Sequence, residues 1–383
     1  MILSYLRKKV LLIPAILLFF ILIMAPVSCG RGGESIAVSG DTIPVRYSSL
    51  LSIVESESYT MVEVKNPWGT SIMQRYLLVP RDSVLPEGLP SGVLLRTPLE
   101  SMVLFSGVHA TLIEELGSEK SVKGVCDADY MYADAVVKGL REGSVADCGS
   151  SLDVDVERVI EVKADAIFVL PYENGGYGKL ERLGIPLVEC ADYMESSALG
   201  CAEWIRFYAR LLGKGYLGDL IFETVCKEYE MLSSMVASVK RRPRLMCELK
   251  SSSAWYVPGG GSTVGVMYSD AGANYIFASN PTNGSVPLSY EVVLDKASDA
   301  DVWLVKYNSP VDLTRSSLLA DFKGYAHFKP FKEGEIYACN TAKKRIFEST
   351  SFHPEKLLRE LVYIFHPELL PGYVPVYYEK MCD

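Results

Sequence analysis

The stretch 217–240 constrains this chain most. Its apolar residues recur as Leu217, Ile221, Val225, Tyr229, Leu232, Met235 and Val239, in steps of three and four that mark one face of an α-helix. Asp219, Glu223, Lys227, Glu228 and Glu230 fill the other positions. Gly213 and Gly215 separate this stretch from a shorter helical one that begins at Cys201, and Pro243 ends it. The spacing predicts a helix of roughly 37 Å at 1.5 Å per residue, long enough to cross a domain. Near the middle of 383 residues, such an element reads as a strut joining two lobes.

The same grammar lies on both sides of the strut. Short apolar runs at 93–95, 102–105, 122–125, 166–170 and 186–189 alternate with helical stretches at 110–116, 132–140 and 154–162. After it, runs at 244–248, 255–257, 302–305 and 336–338 alternate with helical stretches at 264–271, 290–297 and 354–365. Strands alternating with helices imply parallel pairing with helices on both faces. The expected fold class is α/β: two Rossmann-like α/β lobes joined by one long backbone helix, with a ligand cleft between them beyond the carboxyl ends of the strands. The boundaries predicted are 46–213 for the N-terminal lobe, 214–241 for the linking helix and 242–383 for the C-terminal lobe. Two alternating runs, 59–64 and 71–79, flank Asn66-Pro67-Trp68-Gly69 and predict a β-hairpin before the first α/β unit.

The N-terminus carries Arg7-Lys8-Lys9, then an apolar run over 10–24, then Ser28-Cys29-Gly30. This pattern predicts an export signal over 1–28, because the run is shorter than the ~20 residues of a bilayer span. A retained membrane anchor is the alternative. A small residue directly before Cys29 resembles the lipobox of bacterial lipoproteins, which implies acylation at Cys29 and a flexible tether over 29–45. Either way the body is placed outside the cytoplasm, membrane-anchored, facing the periplasm or the cell surface. A net charge of −9, which becomes more acidic without Arg7, Lys8 and Lys9, argues against nucleic acid as a partner. The cysteines other than Cys29 form no CxxC or zinc-like cluster. Disulfides and scattered buried thiols both remain open for them.

Candidate ligand residues lie in loops that follow strands. Ser106 and His109 precede or open a helix, where backbone N–H groups and an imidazole could meet an anionic ligand; a packed or capping histidine is the alternative. Tyr130, Tyr132, Tyr172 and Tyr177 supply aromatic surface from one lobe, and Trp255 and Tyr256 from the other, suited to a flat ligand by apolar burial and stacking. Arg96 or Lys306 is a candidate counter-charge. Gly259-Gly260-Gly261 leads to Ser262 at a helix start and suggests close backbone approach to a ligand; it lacks the lysine of a P-loop. Neither a GxSxG elbow nor HExxH occurs, and His109, His327, His353 and His366 do not form a metal triad pattern. No metal site is therefore assigned.

Several segments, taken in order, resemble the helical-backbone (class III) substrate-binding proteins of ABC importers for ferric siderophores, haem and cobalamin. They are Met102 to Ala110 with Glu115-Leu116-Gly117, Val154 to Glu157, Lys163 to Ile167, Leu183 to Val188, Ala202 to Ile205, Trp255 to Gly260, Asp270 to Ala273, Leu288 to Glu291, and His353 to Leu358 with His366-Pro367-Glu368. The resemblance covers about Val93 to Leu370. It implies a monomeric lipoprotein with no cofactor of its own, which captures a ferric siderophore, haem or cobalamin and delivers it to a permease dimer driven by a cytoplasmic ATPase. It also implies that Glu157 and Glu291, one per lobe, dock on the permease, and that the protein is not an enzyme. The competing expectations are a cleft-based extracytoplasmic hydrolase and a zinc- or manganese-binding member of the same fold.

Overall fold

The computed structural model describes residues 40–381. The expected signal segment, the lipidation site Cys29 and most of the expected tether lie outside the described residues. No helix among the described residues is long and apolar enough to cross a membrane.

The chain opens with a five-stranded sheet: β1 (Asp41–Ile43), β2 (Leu51–Glu55), β3 (Thr60–Lys65), β4 (Ile72–Pro80) and β5 (Val93–Thr97), in that spatial order. Neighbours pair antiparallel until β4 and β5, which run parallel. The expected tether ends early, because Thr42 and Ile43 already pair with Val54 and Ile53 at the sheet edge. β-branched residues favour that pleated surface.

The α/β part of the N-terminal lobe follows: β6 (Met102–Leu104), β7 (Val122–Val125), β8 (Ala146–Asp147), a small hairpin of β9 (Gly149–Ser150) and β10 (Asp153–Val154), then β11 (Ala166–Val169) and β12 (Leu187–Glu189). Its main sheet runs β12-β11-β6-β7-β8, parallel throughout. The run 166–169 is buried along its whole length, which explains its lack of alternation. Helices Gly107–Glu115 and Val156–Val162 pack on opposite faces, in separate apolar clusters around Leu112 and Val159.

The linking helix is Gly215–Met235, about 31 Å long. Its buried residues are Gly218, Phe222, Val225, Cys226, Tyr229 and Leu232, whereas Leu217 is 37% exposed. Gly218 sets this face. A Cβ there would lie 2.4 Å from that of Ala209, so its absence lets the linking helix press against helix Ile205–Leu211. Phe222, Val225, Tyr229 and Leu232 share a core with Leu358, Leu361 and Val362 of helix Pro354–Phe365 in the second lobe. Ile221 packs against the cores of both lobes.

The second lobe contains β13 (Arg244–Cys247), β14 (Lys250–Ser251), β15 (Ala254–Pro258), β16 (Asn274–Tyr275), β17 (Ser285–Leu288), β18 (Val302–Tyr307), β19 (Ile336–Asn340) and β20 (Glu379–Lys380). The main sheet runs β16-β13-β18-β19-β20, parallel except at the β19–β20 edge. Strands β14, β15 and β17 form a separate antiparallel sheet. The two main parallel sheets therefore sit in two lobes, with one helix linking them.

Candidate functional site

The carboxyl ends of the parallel strands present two concavities. The first lies between the lobes, has a volume of about 220 Å³, and is lined by Asp192 and Tyr193 from the N-terminal side and Met267, Tyr268, Lys306 and Phe347 from the C-terminal side. Its wall is mainly apolar. The second is a groove of about 420 Å³ on the N-terminal lobe, where Phe105 and Leu170 follow β6 and β11.

Tyr172 and Tyr177 meet in that groove, with ring centroids 6.4 Å apart in a T-shaped arrangement. Tyr172 is 58% exposed, and its hydroxyl donates to the Gly176 carbonyl at 2.9 Å. The Tyr177 hydroxyl donates to Glu189. Tyr130 is exposed, and its carbonyl would lie 2.7 Å from a Cβ on Gly107, so the helix start at Gly107 has no room for a side chain. Ser106 caps that helix by accepting from the Val108 amide.

Other candidates hold the structure together. His109 is buried, with Nε2 2.9 Å from Asp192 Oδ1, and packs edge-on to Tyr208. Burial pulls its pKa down, but the Cys190 sulfur and the Asp192 carboxylate outweigh burial and hold it well above its ordinary value. It lines neither concavity. Trp255 is fully buried, and its Nε1 donates to the Cys247 carbonyl at 3.0 Å among Trp303, Tyr325 and Phe328. The alternation of β15 sends Tyr256 outward instead, 50% exposed. Arg96 donates to the carbonyls of Arg81 and Ser83, so it anchors the turn after β4, and it lines neither concavity. Ser262 caps helix Thr263–Asp270, accepting from Gly265 and donating to Gly259. A Cβ on Gly259 or Gly260 would come within 2.1 Å of the Thr282 oxygen or 2.0 Å of the Ala278 oxygen. These glycines thus admit a neighbouring loop, and the close approach expected for a ligand is made by the chain itself.

Tyr132 belongs to the seam between the lobes: the Arg345 guanidinium lies 5.8 Å from its ring centroid and 3.5 Å from Asp134. Beside it, His353 of the second lobe contacts Glu115 of the first at 2.8 Å and its own neighbour Glu355 at 3.0 Å. Burial opposes charge on His353, but the two carboxylates raise it to about 9. The Thr263 hydroxyl donates to the Glu195 carbonyl at 3.0 Å across the same seam.

Glu157 and Glu291 are both exposed, each in the first turn of its helix, behind the caps Asp155 and Ser289. The amide of Glu291 and the Ser289 hydroxyl hold the Glu291 carboxyl below its ordinary value, so it is charged at neutral pH.

Residues 103–342 match the family model described as periplasmic binding protein. The chain belongs to that family. With one helix between two parallel-sheet lobes, it is of the helical-backbone, class III type. The uncharacterized lipoprotein MJ0878 of Methanocaldococcus jannaschii is 28% identical over 316 residues, spanning 78% of this chain and 74% of that one. Two solved structures share the fold. A periplasmic heme-binding protein from Pseudomonas aeruginosa has a TM-score of 0.57 at 14% identity, covering 74% of this chain and 99% of its own. The periplasmic vitamin B12 binding protein BtuF of Vibrio cholerae has a TM-score of 0.52 at 14% identity, with 72% and 99% covered.

Tyr193, Tyr268, Phe347 and Tyr378, which line the inter-lobe cavity, escaped sequence reasoning. They come from four separate segments. Lys306 was legible as a lone lysine at the end of an otherwise apolar strand, β18.

Proposed function

We propose that this protein is the extracytoplasmic, lipid-anchored binding component of an ABC importer, which captures a ferric siderophore, haem or cobalamin and hands it to a permease. The observation that carries the reading is the inter-lobe cavity: apolar and aromatic side chains from both lobes, with Lys306 at its edge, converge where the strands of both parallel sheets end. Such a wall takes up the apolar part of a ligand by contact and orients it with few polar groups. The Tyr172–Tyr177 groove extends the aromatic surface along the first lobe.

Glu157 and Glu291 supply one exposed carboxylate per lobe, suited to reversible docking on a basic permease rim. The work assigned to the protein is selective binding and delivery, without covalent chemistry. Titration of the purified protein with haem, cyanocobalamin and a panel of ferric siderophores, followed by absorbance and calorimetry, tests this. Saturable micromolar or tighter binding of one of them is expected. Binding of none, with turnover of an ester or glycoside instead, would contradict it.

A further inference from the structure

The inter-lobe cavity contains a polar atom that its surroundings leave unused. Tyr268 is 1% exposed and lines the cavity, yet its hydroxyl has no hydrogen-bond partner among the described residues. A buried hydroxyl is normally paired, and leaving it unpaired is costly. Lys306 lines the same cavity, and its ammonium is held by Glu248. Glu248 is itself fixed in the left-handed region, at φ +64°, which residues other than glycine seldom adopt. Its amide donates to the Leu304 carbonyl at 2.8 Å, and its carbonyl accepts from Trp303 Nε1 at 2.9 Å. The strained turn therefore sets the carboxylate that positions Lys306.

One carboxylate leaves an ammonium with further N–H donors. The acid in the same wall, Asp192, already accepts from His109 and Tyr208. The Tyr268 hydroxyl can donate or accept and the Lys306 ammonium can only donate, so what the two offer in common is donors, set among apolar walls that include Met267, Phe347 and Leu361. An oxygen acceptor with negative charge complements these donors best. Two donor groups suit a carboxylate, whereas a phosphate would demand more.

We propose that Tyr268 and Lys306 form a subsite for a carboxylate arm of the captured ligand, whose apolar body lies against Phe347 and Leu361. The proposal rests on the reading of this cavity as the ligand site and narrows it to carboxylate-bearing ligands. A charge-assisted hydrogen bond from a buried donor predicts a loss of about tenfold or more in affinity when the donor is removed.

The test uses 4-phenylbutyrate and its neutral counterpart 4-phenyl-1-butanol as probes, titrated into the purified protein by calorimetry. The acid is expected to bind at least tenfold more tightly than the alcohol, and Tyr268→Phe to remove most of that preference. Because Lys306→Met alone would strand Glu248, the paired variant Lys306→Met with Glu248→Gln is the second arm, and it is expected to remove the preference entirely. Unchanged melting temperature in Tyr268→Phe establishes that its loss is not one of folding. Equal binding of acid and alcohol, no binding of the acid, or full preference retained in Tyr268→Phe would overturn the subsite. The chelate panel is run in parallel: acid preference with no chelate bound upholds the subsite and overturns the uptake reading, and chelate binding without acid preference does the reverse.

Discussion

Replacing His353 by Gln should change how the protein's stability depends on pH. His353 is 12% exposed and bridges the lobes, between Glu115 at 2.8 Å and Glu355 at 3.0 Å. Both carboxylates favour the imidazolium, and together they outweigh burial to raise His353 from 6.5 to about 9. Because the folded value is raised, the stabilisation is complete below about 6.5 and is lost as pH rises through about 9. At 1.36 kcal/mol per unit the shift sets a ceiling of about 3 kcal/mol. Glu115 is 37% exposed, and solvent screening reduces the expected contribution to about 1–2 kcal/mol. The assay is urea unfolding of wild type and His353→Gln from pH 6 to pH 10. The wild-type advantage should be largest at pH 6 and shrink by about 1–2 kcal/mol by pH 10. Parallel stability curves for the two proteins would refute the bridge.

Three further outcomes follow from the same structure. Leu232 is fully buried in the core that the linking helix shares with the second lobe, so Leu232→Ala should cost about 2–5 kcal/mol in denaturant unfolding. Reversing both exposed carboxylates, Glu157→Lys with Glu291→Lys, should abolish uptake in a reconstituted transporter while calorimetry shows unchanged ligand affinity; lost affinity would contradict the docking role. Because one continuous helix joins the lobes, small-angle scattering should show only a slight decrease in radius of gyration when ligand binds, and a wide closure would contradict the strut.

How much of this was legible in the sequence depends on the range of the interactions involved. The linking helix announces itself because its apolar period is local, yet the face at its start was misplaced. Gly218 has no hydrophobic signal, and it is buried because Ala209 lies against it, whereas Leu217 and Leu220 are 37% and 53% exposed. Trp255 and Tyr256 are neighbours on β15 with opposite fates, and alternation alone does not say which face meets the core. Glu195 and Glu203 belong to a residue class seldom buried unless paired. Both are buried: Glu203 accepts from the amides of Arg46, Tyr47 and Ser48, and Glu195 from those of Ser49 and Leu50. Partners about 150 positions away leave no local trace. The inter-lobe cavity is the extreme case, since its wall draws on segments from Asp192 to Tyr378.

The central claim is that ligand is held between the lobes. Hydrogen exchange followed by mass spectrometry, with and without whichever of haem, cyanocobalamin or ferric siderophore binds, tests it most directly. The account predicts slower exchange on both sides of the cavity, over 192–201, 263–268 and 346–351, with the β1–β5 sheet unchanged. Protection confined to one lobe, or absent from the cavity segments while ligand is bound, would contradict it.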